Sequence, residues 1–358
     1  MSGITSAKDG FPYLNLPVLE KARVSTVKAK EQLNQLLQKN IPGYESEDTN
    51  LVIFGSLARG EWTSGSDLDW TYLIDGQANS DHLTIAQKIR AVFNEHKERF
   101  RPPGQTGTFG DMTFSHDIIH QIGGQHDTNR NTTQRILLLL ESSVIGKETQ
   151  AYERVVTAVV NRYLEEDTHL VDEDGRSYRV PRFLLNDIVR FWRTMAVDFA
   201  SKQRDRGGEG WGLRNAKLRM SRKLIFASGL LVCFSCNLNT TLRAAISTEK
   251  DAIKAILISH LRQYVRLTPL QIMAQSFAEY SVPDLVQERF FSSYAAFIEL
   301  LEDPGSRSGL ENLRAAESRT DPMFIRVKEI SRIFEASLDY VFFEHEPLKA
   351  LTRKYGVF

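Results

Sequence analysis

The chain has 358 residues, enough for about two domains. Its composition is ordinary for a globular protein, but a formal net charge of zero argues against a role in gripping long nucleic acid, which usually requires a basic excess. No apolar run is long enough to cross a bilayer, so no membrane partner is expected, and the two cysteines, Cys233 and Cys236, lie together in an apolar stretch. We therefore expect a cytoplasmic protein with two buried thiols.

The first part of the chain predicts alternating helices and strands. Residues 17–40 have the apolar spacing of a helix, and the apolar run 51–54 is typical of a buried strand. A second strand is predicted at 67–74, a helix at 82–98 and a third strand at 112–119. This order indicates a sheet that is packed with helices.

From residue 133 the pattern becomes almost wholly helical, interrupted by a predicted small hairpin near 168–180, around Asp174-Gly175. Apolar periodicity predicts helices at 135–142, 150–164, 183–203, 213–236, 241–263, 267–280, 283–302 and 322–343. The fold class predicted is therefore α+β. A domain with a mixed sheet and helices is expected at 1–145, followed by an all-α domain at 146–358.

The segment between the first two strands carries the residues with the clearest chemistry. Gly55-Ser56 follows the first apolar run, and Asp67-Leu68-Asp69 opens the second. Because side chains alternate along a strand, the two aspartates share one face while Leu68 points into the core. Two neighbouring carboxylates repel each other unless a cation lies between them, and hard oxygen ligands favour Mg²⁺.

This block resembles the nucleotidyltransferase signature of the DNA polymerase β superfamily, in which Gly-Ser is followed by a spacer and Asp-x-Asp. The resemblance implies a polymerase β-like domain in which Gly55 and Ser56 contact the triphosphate of an NTP, with ATP as the expected nucleotide. It implies that Asp67 and Asp69 are catalytic and hold Mg²⁺, with Mn²⁺ as the alternative. The implied reaction is a two-metal transfer of NMP to an acceptor hydroxyl with release of pyrophosphate. A protein is the expected acceptor, and a small molecule or another nucleotide is the alternative.

Sites of this superfamily use a third carboxylate from a neighbouring strand. Asp117 is the preferred candidate for this catalytic, metal-binding group because apolar residues flank it, and Asp111, at the start of the same strand, is the alternative. Residues 101–107 are similar to the Arg-Pro-x-Gly-x-x-Gly stretch of the glutamine synthetase adenylyltransferases, although they could equally be an ordinary Pro/Gly loop. In that family an Asp lies just upstream, whereas residues 97–100 contain none, so the third carboxylate is sought downstream.

The helix at 135–142 is also similar to one in those adenylyltransferases and in the related PII uridylyltransferases. Arg135 either reaches the site or lies at the solvated end of a buried helix.

Cationic residues after the glycine-rich segment 207–210 are candidates for binding the nucleotide phosphates. Arg214 and Lys217 lie near a predicted helix start, and Lys202 lies on the preceding helix. The alternative for these three residues is a solvated basic face. For the whole protein, the alternative to an enzyme is a catalytically silent sensor that binds nucleotide and signals through the helices.

Overall fold

The computed structural model describes residues 12–104, 108–165, 167, 169–205, 208–247 and 249–356. Within them lies one four-stranded mixed sheet, formed by β1 (Thr49–Ile53), β2 (Trp70–Ile74), β3 (Asp111–Phe114) and β4 (Ser143–Ile145) in the order β3-β2-β1-β4. Strand β1 is antiparallel to both β2 and β4, whereas β2 and β3 are parallel. The α+β fold class predicted from the sequence is confirmed.

Helices make up most of the remaining described chain. The α-helices are α1 (Pro17–Asn40), α2 (Gly55–Arg59), α3 (Ser80–Glu95), α4 (Ser115–Ile119), α5 (Asn129–Leu140), α6 (Gln150–Glu165), α7 (Arg182–Asp205), α8 (Trp211–Lys217), α9 (Lys223–Leu238), α10 (Thr240–Ala244), α11 (Lys250–Val265), α12 (Pro269–Glu279), α13 (Asp284–Glu302), α14 (Pro304–Asn312), α15 (Pro322–Asp339) and α16 (Leu348–Leu351). Single π-helical turns occur at Leu218–Arg222, Tyr340–Glu344 and Thr352–Gly356, and 3₁₀ turns at Pro12–Asn15 and Ala315–Glu317.

The sheet separates two apolar cores, and the alternation of side chains along β1 assigns residues to each. Leu51 and Ile53 pack into the smaller core, which α1 and α3 complete. Val52 and Phe54 point the other way, into the larger core formed mainly by the helices after β3. Both central strands are therefore fully buried, which explains why they read as continuous apolar runs.

The larger core includes Ile136 of α5 as well as Val155 of α6, so it draws on residues from both sides of position 145. The division into domains 1–145 and 146–358 stays a prediction. Near 168–180 the described residues form a single antiparallel bridge between Val171 and Tyr178.

The predicted third strand, 112–119, is wrong in its second half. Strand β3 ends at Phe114, which pairs with Ile74, the last residue of β2, and α4 begins at Ser115. Once β2 turns away, the chain after Phe114 has no strand to pair with and becomes helical. Asp117 is therefore an exposed helical residue rather than a strand residue.

Among the described residues, one helical run, Trp211–Ala244, is long and apolar enough to cross a membrane, so the expectation that no apolar run has this length is wrong. Its most apolar window is 72% buried inside the fold, as is usual for the central helix of a globular core. Cys233 and Cys236 lie in this run, and both are buried free thiols, as predicted.

Candidate active site

Gly55 brings the start of α2 against the Asp pair. The Phe54 N–H donates to the carbonyl of Asp69 at 2.9 Å, which extends the pairing of β1 and β2 by one residue. Gly55 then adopts a φ of +67°, and a Cβ at this position would lie 3.0 Å from Oδ2 of Asp69. Only glycine combines this backbone conformation with such close contact at low cost.

The Asp pair has the alternation that the sequence predicts. Leu68 is buried, while Asp67 and Asp69 are partly exposed and line the same cleft. A backbone hydrogen bond of 2.8 Å from Leu68 N–H to the Arg101 carbonyl fixes the segment. Burial and the charge of Asp67 raise the pKa of Asp69 to about 7, so the ionised form of the pair is unfavourable unless a cation lies beside it.

The cleft lies between the sheet and the later helices and has a volume of about 410 Å³, a size that accommodates a small-molecule ligand. Gly55, Ser56, Asp67 and Asp69 line one side. The opposite wall comes from α7, from the helical run that starts at α8, and from α13 and α14. The apolar lining of the whole cleft consists of Phe109, Leu137, Phe191, Met195, Leu213, Ile225, Ile298 and Leu301.

Two cations on the helical wall face the Asp pair across this cleft. Lys217 ends α8, and Arg222 ends the π turn that follows, so the wider turn places both along the cleft. Neither side chain forms a hydrogen bond or an ion pair within 4.0 Å in the part of the chain described above. Burial lowers the pKa of each, and the attraction of Asp69 for each opposes this effect. An anion bound between them would supply the missing partner.

A third cation, Arg59, is already neutralised. Its Nε lies 2.8 Å from Glu61, and its Nη1 lies 2.5 Å from Glu141. Although burial alone would lower the pKa of Arg59, these two carboxylates hold it above its usual value. The Tyr294 hydroxyl donates to Glu61 at 2.9 Å, so this network joins α2 to α13.

The structure brings together most of the predicted site residues but not all. Gly55, Ser56, Asp67, Asp69, Arg214 and Lys217 all line the cleft. Neither Asp117 nor its alternative Asp111 does so; Asp111 is exposed and pairs with Arg90 at 3.2 Å. The side chain of Lys202 lies outside the described residues, as do positions 105–107 of the Pro/Gly segment.

Both interpretations of Arg135 are wrong, because this side chain is fully buried away from the cleft. Its guanidinium donates to both carboxylate oxygens of Asp127 at 3.2 and 3.1 Å, to Asp187 at 2.5 Å and to the hydroxyl of Tyr163 at 2.6 Å. Arg190 also pairs with Asp127, at 2.6 Å. The arrangement is a core ion network that ties α5 to α6 and α7.

The charged residues that line the cleft but are not predicted from the sequence include Arg59, Glu61, Glu141, Arg222 and Arg307. Arg59 and Glu61 lie within the segment between Gly55-Ser56 and Asp67, so their position was a usable signal. Arg222 is five residues from Lys217, a spacing that shares a face only because of the π turn. For Arg307 the local sequence offers no signal.

The oxygen donors of the Asp pair are of the chemical type that a hard divalent cation such as Mg²⁺ prefers. Mg²⁺ is commonly held by one or two carboxylates together with substrate phosphates, and the raised pKa of Asp69 marks a charge that needs such a partner. No group of three or more His, Cys, Asp or Glu side chains suited to a metal occurs among the described residues. The third carboxylate implied by the resemblance is therefore not grouped with the pair in that part of the chain.

A comparison with known protein families matches the segment that contains the Asp pair. Residues 30–102 match the family model of the nucleotidyltransferase domain. This segment runs from α1 to Pro102 and contains Gly55-Ser56 and both aspartates of the pair. The match supports the superfamily and transfer of a nucleotide in general, whereas the glutamine synthetase adenylyltransferase branch stays a prediction. No curated protein matches the chain.

Proposed function

We propose that this protein binds Mg·NTP in the cleft, with ATP as the expected nucleotide, and transfers NMP to an acceptor hydroxyl. The observation that carries the proposal is the Asp67–Asp69 pair facing Lys217 and Arg222 across one cleft. This arrangement suits a ligand that carries a divalent cation on one side and exposed phosphate oxygens on the other.

Each part of the chain would contribute a separate task to this reaction. Asp67 and Asp69 would hold Mg²⁺, which when bound neutralises phosphate charge during transfer. Gly55 and the Ser56 N–H and hydroxyl would contact the phosphates at close range. Lys217 and Arg222 would stabilise the negative charge on the triphosphate from the helical side.

The bond changes are those of an in-line displacement at phosphorus. The acceptor oxygen forms a bond to the α-phosphorus, the bond from that phosphorus to its bridging oxygen breaks, and pyrophosphate leaves with the bonding electron pair. The acceptor proton passes to solvent or to a base. The acceptor is proposed to be a hydroxyl on a protein or a small molecule.

The proposal is tested by incubating the protein with Mg²⁺, a cell extract and each NTP labelled at the α-phosphate. We expect the label to become covalently attached to an acceptor. The same nucleotide labelled at the γ-phosphate should transfer none, which separates nucleotidyl from phosphoryl transfer. The double variant Asp67→Asn/Asp69→Asn should abolish transfer while remaining folded, because losing two repelling charges does not weaken the apo fold. Unimpaired transfer by that variant would remove the pair from the mechanism.

A second candidate function is a sensor that binds Mg·NTP without transferring NMP. The observation that favours it is the exposed position of Asp117 on α4, outside the cleft, because no third acidic side chain is grouped with the pair among the described residues. Tight metal-dependent binding of NTP together with no transfer to any acceptor in the extract would support this function over the first.

A further inference from the structure

Arg307 on α14 occupies a notch beside the loop that precedes Asp67. The side chain is only 6% exposed, and its Nη1 lies 3.5 Å from the hydroxyl of Thr63. A Cβ on Gly65 would lie 2.2 Å from Nε of Arg307 and 2.5 Å from its Cδ. The guanidinium therefore takes the space that any other residue at position 65 would fill.

The loop that Arg307 contacts is a closed turn that leads directly into Asp67. Ser66 N–H donates to the Thr63 carbonyl at 3.0 Å, and Thr63 N–H donates back to the Ser66 hydroxyl at 3.1 Å. The two hydroxyl oxygens also lie 3.0 Å apart. Because the turn is held by its own hydrogen bonds, a contact at Thr63 and Gly65 restrains the start of the segment that carries Asp67.

The same arginine reaches the other side of Asp67 through two further residues. Arg307 Nε donates to Glu311 at 3.0 Å, and Glu311 also lies 3.9 Å from Arg101. Arg101 pairs with Asp67 in a parallel bridge, and its carbonyl accepts from Leu68 N–H at 2.8 Å. Contacts that begin at Arg307 thus reach the backbone both before and after Asp67.

We propose that Arg307 is a positioning residue, through which α14 fixes the orientation of the Asp67 carboxylate. The inference rests on the metal–nucleotide site of the proposed function. Residues that hold a metal ligand in place contribute to metal affinity although they never touch the metal. Arg307 would act through the backbone around Asp67, and its side chain also lines the cleft. Arg307 lies outside residues 30–102, so its role would tie the Asp pair to the helical part of the chain.

Glycine 65 provides a test that leaves the charge of the site unchanged. Its backbone lies outside the left-handed region, so Gly65→Ala is conformationally acceptable, and the atoms that its Cβ displaces belong to the flexible end of Arg307. The variant should stay folded while moving the guanidinium, with a lowered melting temperature, as is usual for an added methyl in a packed site. Arg307→Ala removes the same contact and also removes a positive charge.

The measurement is Mn²⁺ binding to the full chain, with and without a non-hydrolysable NTP analogue, followed by electron paramagnetic resonance. We expect Gly65→Ala and Arg307→Ala each to weaken Mn²⁺ binding about tenfold. The double variant should be no weaker than Arg307→Ala, because the added methyl then has no guanidinium to displace. If Arg307 acted through its charge alone, Arg307→Ala would instead tighten Mn²⁺ binding, because it removes a positive charge from the cleft that contains the Asp pair.

Gly309→Ala is the matched control, because it adds a methyl to the same helix where no atom lies within 4 Å of the new Cβ. It should bind Mn²⁺ like the wild type. Wild-type affinity in Gly65→Ala, or additive losses in the double variant, would overturn the role of Arg307 and leave the proposed function intact. A wild-type protein that binds no Mn²⁺ with or without NTP would overturn both.

Discussion

At the scale of single residues, two separate constraints favour glycine at position 55. Its φ of +67° is costly for other residues, and a Cβ there would meet Asp69 at 3.0 Å. Gly175 has a nearly identical φ of +68° with no atom within 4 Å of a Cβ, so it shares only the first constraint. Comparing the two positions separates backbone strain from the contact at the site.

We expect Gly55→Ala and Gly175→Ala to lose similar stability, about 1–2 kcal/mol, because both place alanine in the left-handed region. Only Gly55→Ala should also weaken binding of Mg·NTP, since its methyl displaces the Asp69 carboxylate. Thermal melts and equilibrium nucleotide titrations of both variants measure the two effects. Wild-type affinity in Gly55→Ala would show that this turn does not define the nucleotide site.

Lys217 is the second residue whose role can be isolated. Lys217→Ala should raise the KM for NTP, and Lys217→Glu should raise it further, because repulsion is added to a lost contact. The increase should shrink as salt screens the phosphate charge. Arg219, on the same helical run but bonded to Asn215 and absent from the cleft lining, gives the control Arg219→Ala. Equal KM changes at positions 217 and 219 would contradict a specific role for Lys217.

At the scale of elements, the network around Arg135 holds three helices together and is predicted to act on stability alone. Burial raises the pKa of Asp127, but the hydrogen bonds and charge of Arg135, with the hydrogen bonds from Gly123 N–H and Arg190, together hold it below its usual value. Arg135→Ala would leave Asp127 and Asp187 buried with a reduced number of partners, and it should lower the free energy of unfolding by about 3–5 kcal/mol.

Denaturant unfolding of Arg135→Ala measures this loss. Arg130→Ala on the same helix is the control, since Arg130 is exposed and makes one 3.4 Å hydrogen bond, to the Met112 carbonyl, among the described residues. It should change the unfolding free energy by less than about 1 kcal/mol. If the unfolding free energy of Arg135→Ala equalled that of the wild type, the network would not stabilise the fold. If the folded variant had a changed KM for NTP, the role of Arg135 would not be purely structural.

The sequence predicted those elements whose pattern is long or buried on both faces. Helix α1 begins and ends at the predicted residues, and β1 and β2 lie within a few residues of theirs. The motif residues Gly55 and Asp69 come together because they flank adjacent, directly paired strands. The order of these residues and strands along the chain was enough to predict this part of the site.

The errors arose where tertiary contacts decide the structure. The end of β2 at Ile74 sets the end of β3, and nothing in residues 112–119 alone reveals it. The three-residue strand β4 is too short to show a period, and it was missed. Arg222 enters the cleft because of a π turn, and Arg307 because Gly65 leaves it room, so neither could be assigned without the three-dimensional arrangement.

At the scale of the whole molecule, the cleft places the Asp pair and two cations on opposite walls although the chain is neutral overall. The two aspartates lie on the sheet side, in the segment that matches a nucleotidyltransferase domain, whereas Lys217 and Arg222, which form no ion pair among the described residues, lie on the helical side. Arg59 does not disturb this division, because Glu61 and Glu141 neutralise it. Affinity for nucleotide should therefore require the Asp pair, the two cations Lys217 and Arg222, and a divalent cation.

The most direct test of this account is calorimetric titration of the wild-type protein with a non-hydrolysable NTP analogue, with Mg²⁺ and then with a chelator. We expect the affinity for the analogue to fall at least about tenfold when the metal is removed, because the metal would bridge the phosphates to the two carboxylates. In Asp67→Asn/Asp69→Asn the affinity should no longer depend on the metal. Equal affinity of the wild-type protein with and without Mg²⁺ would contradict the central claim that the Asp pair holds a metal–nucleotide complex.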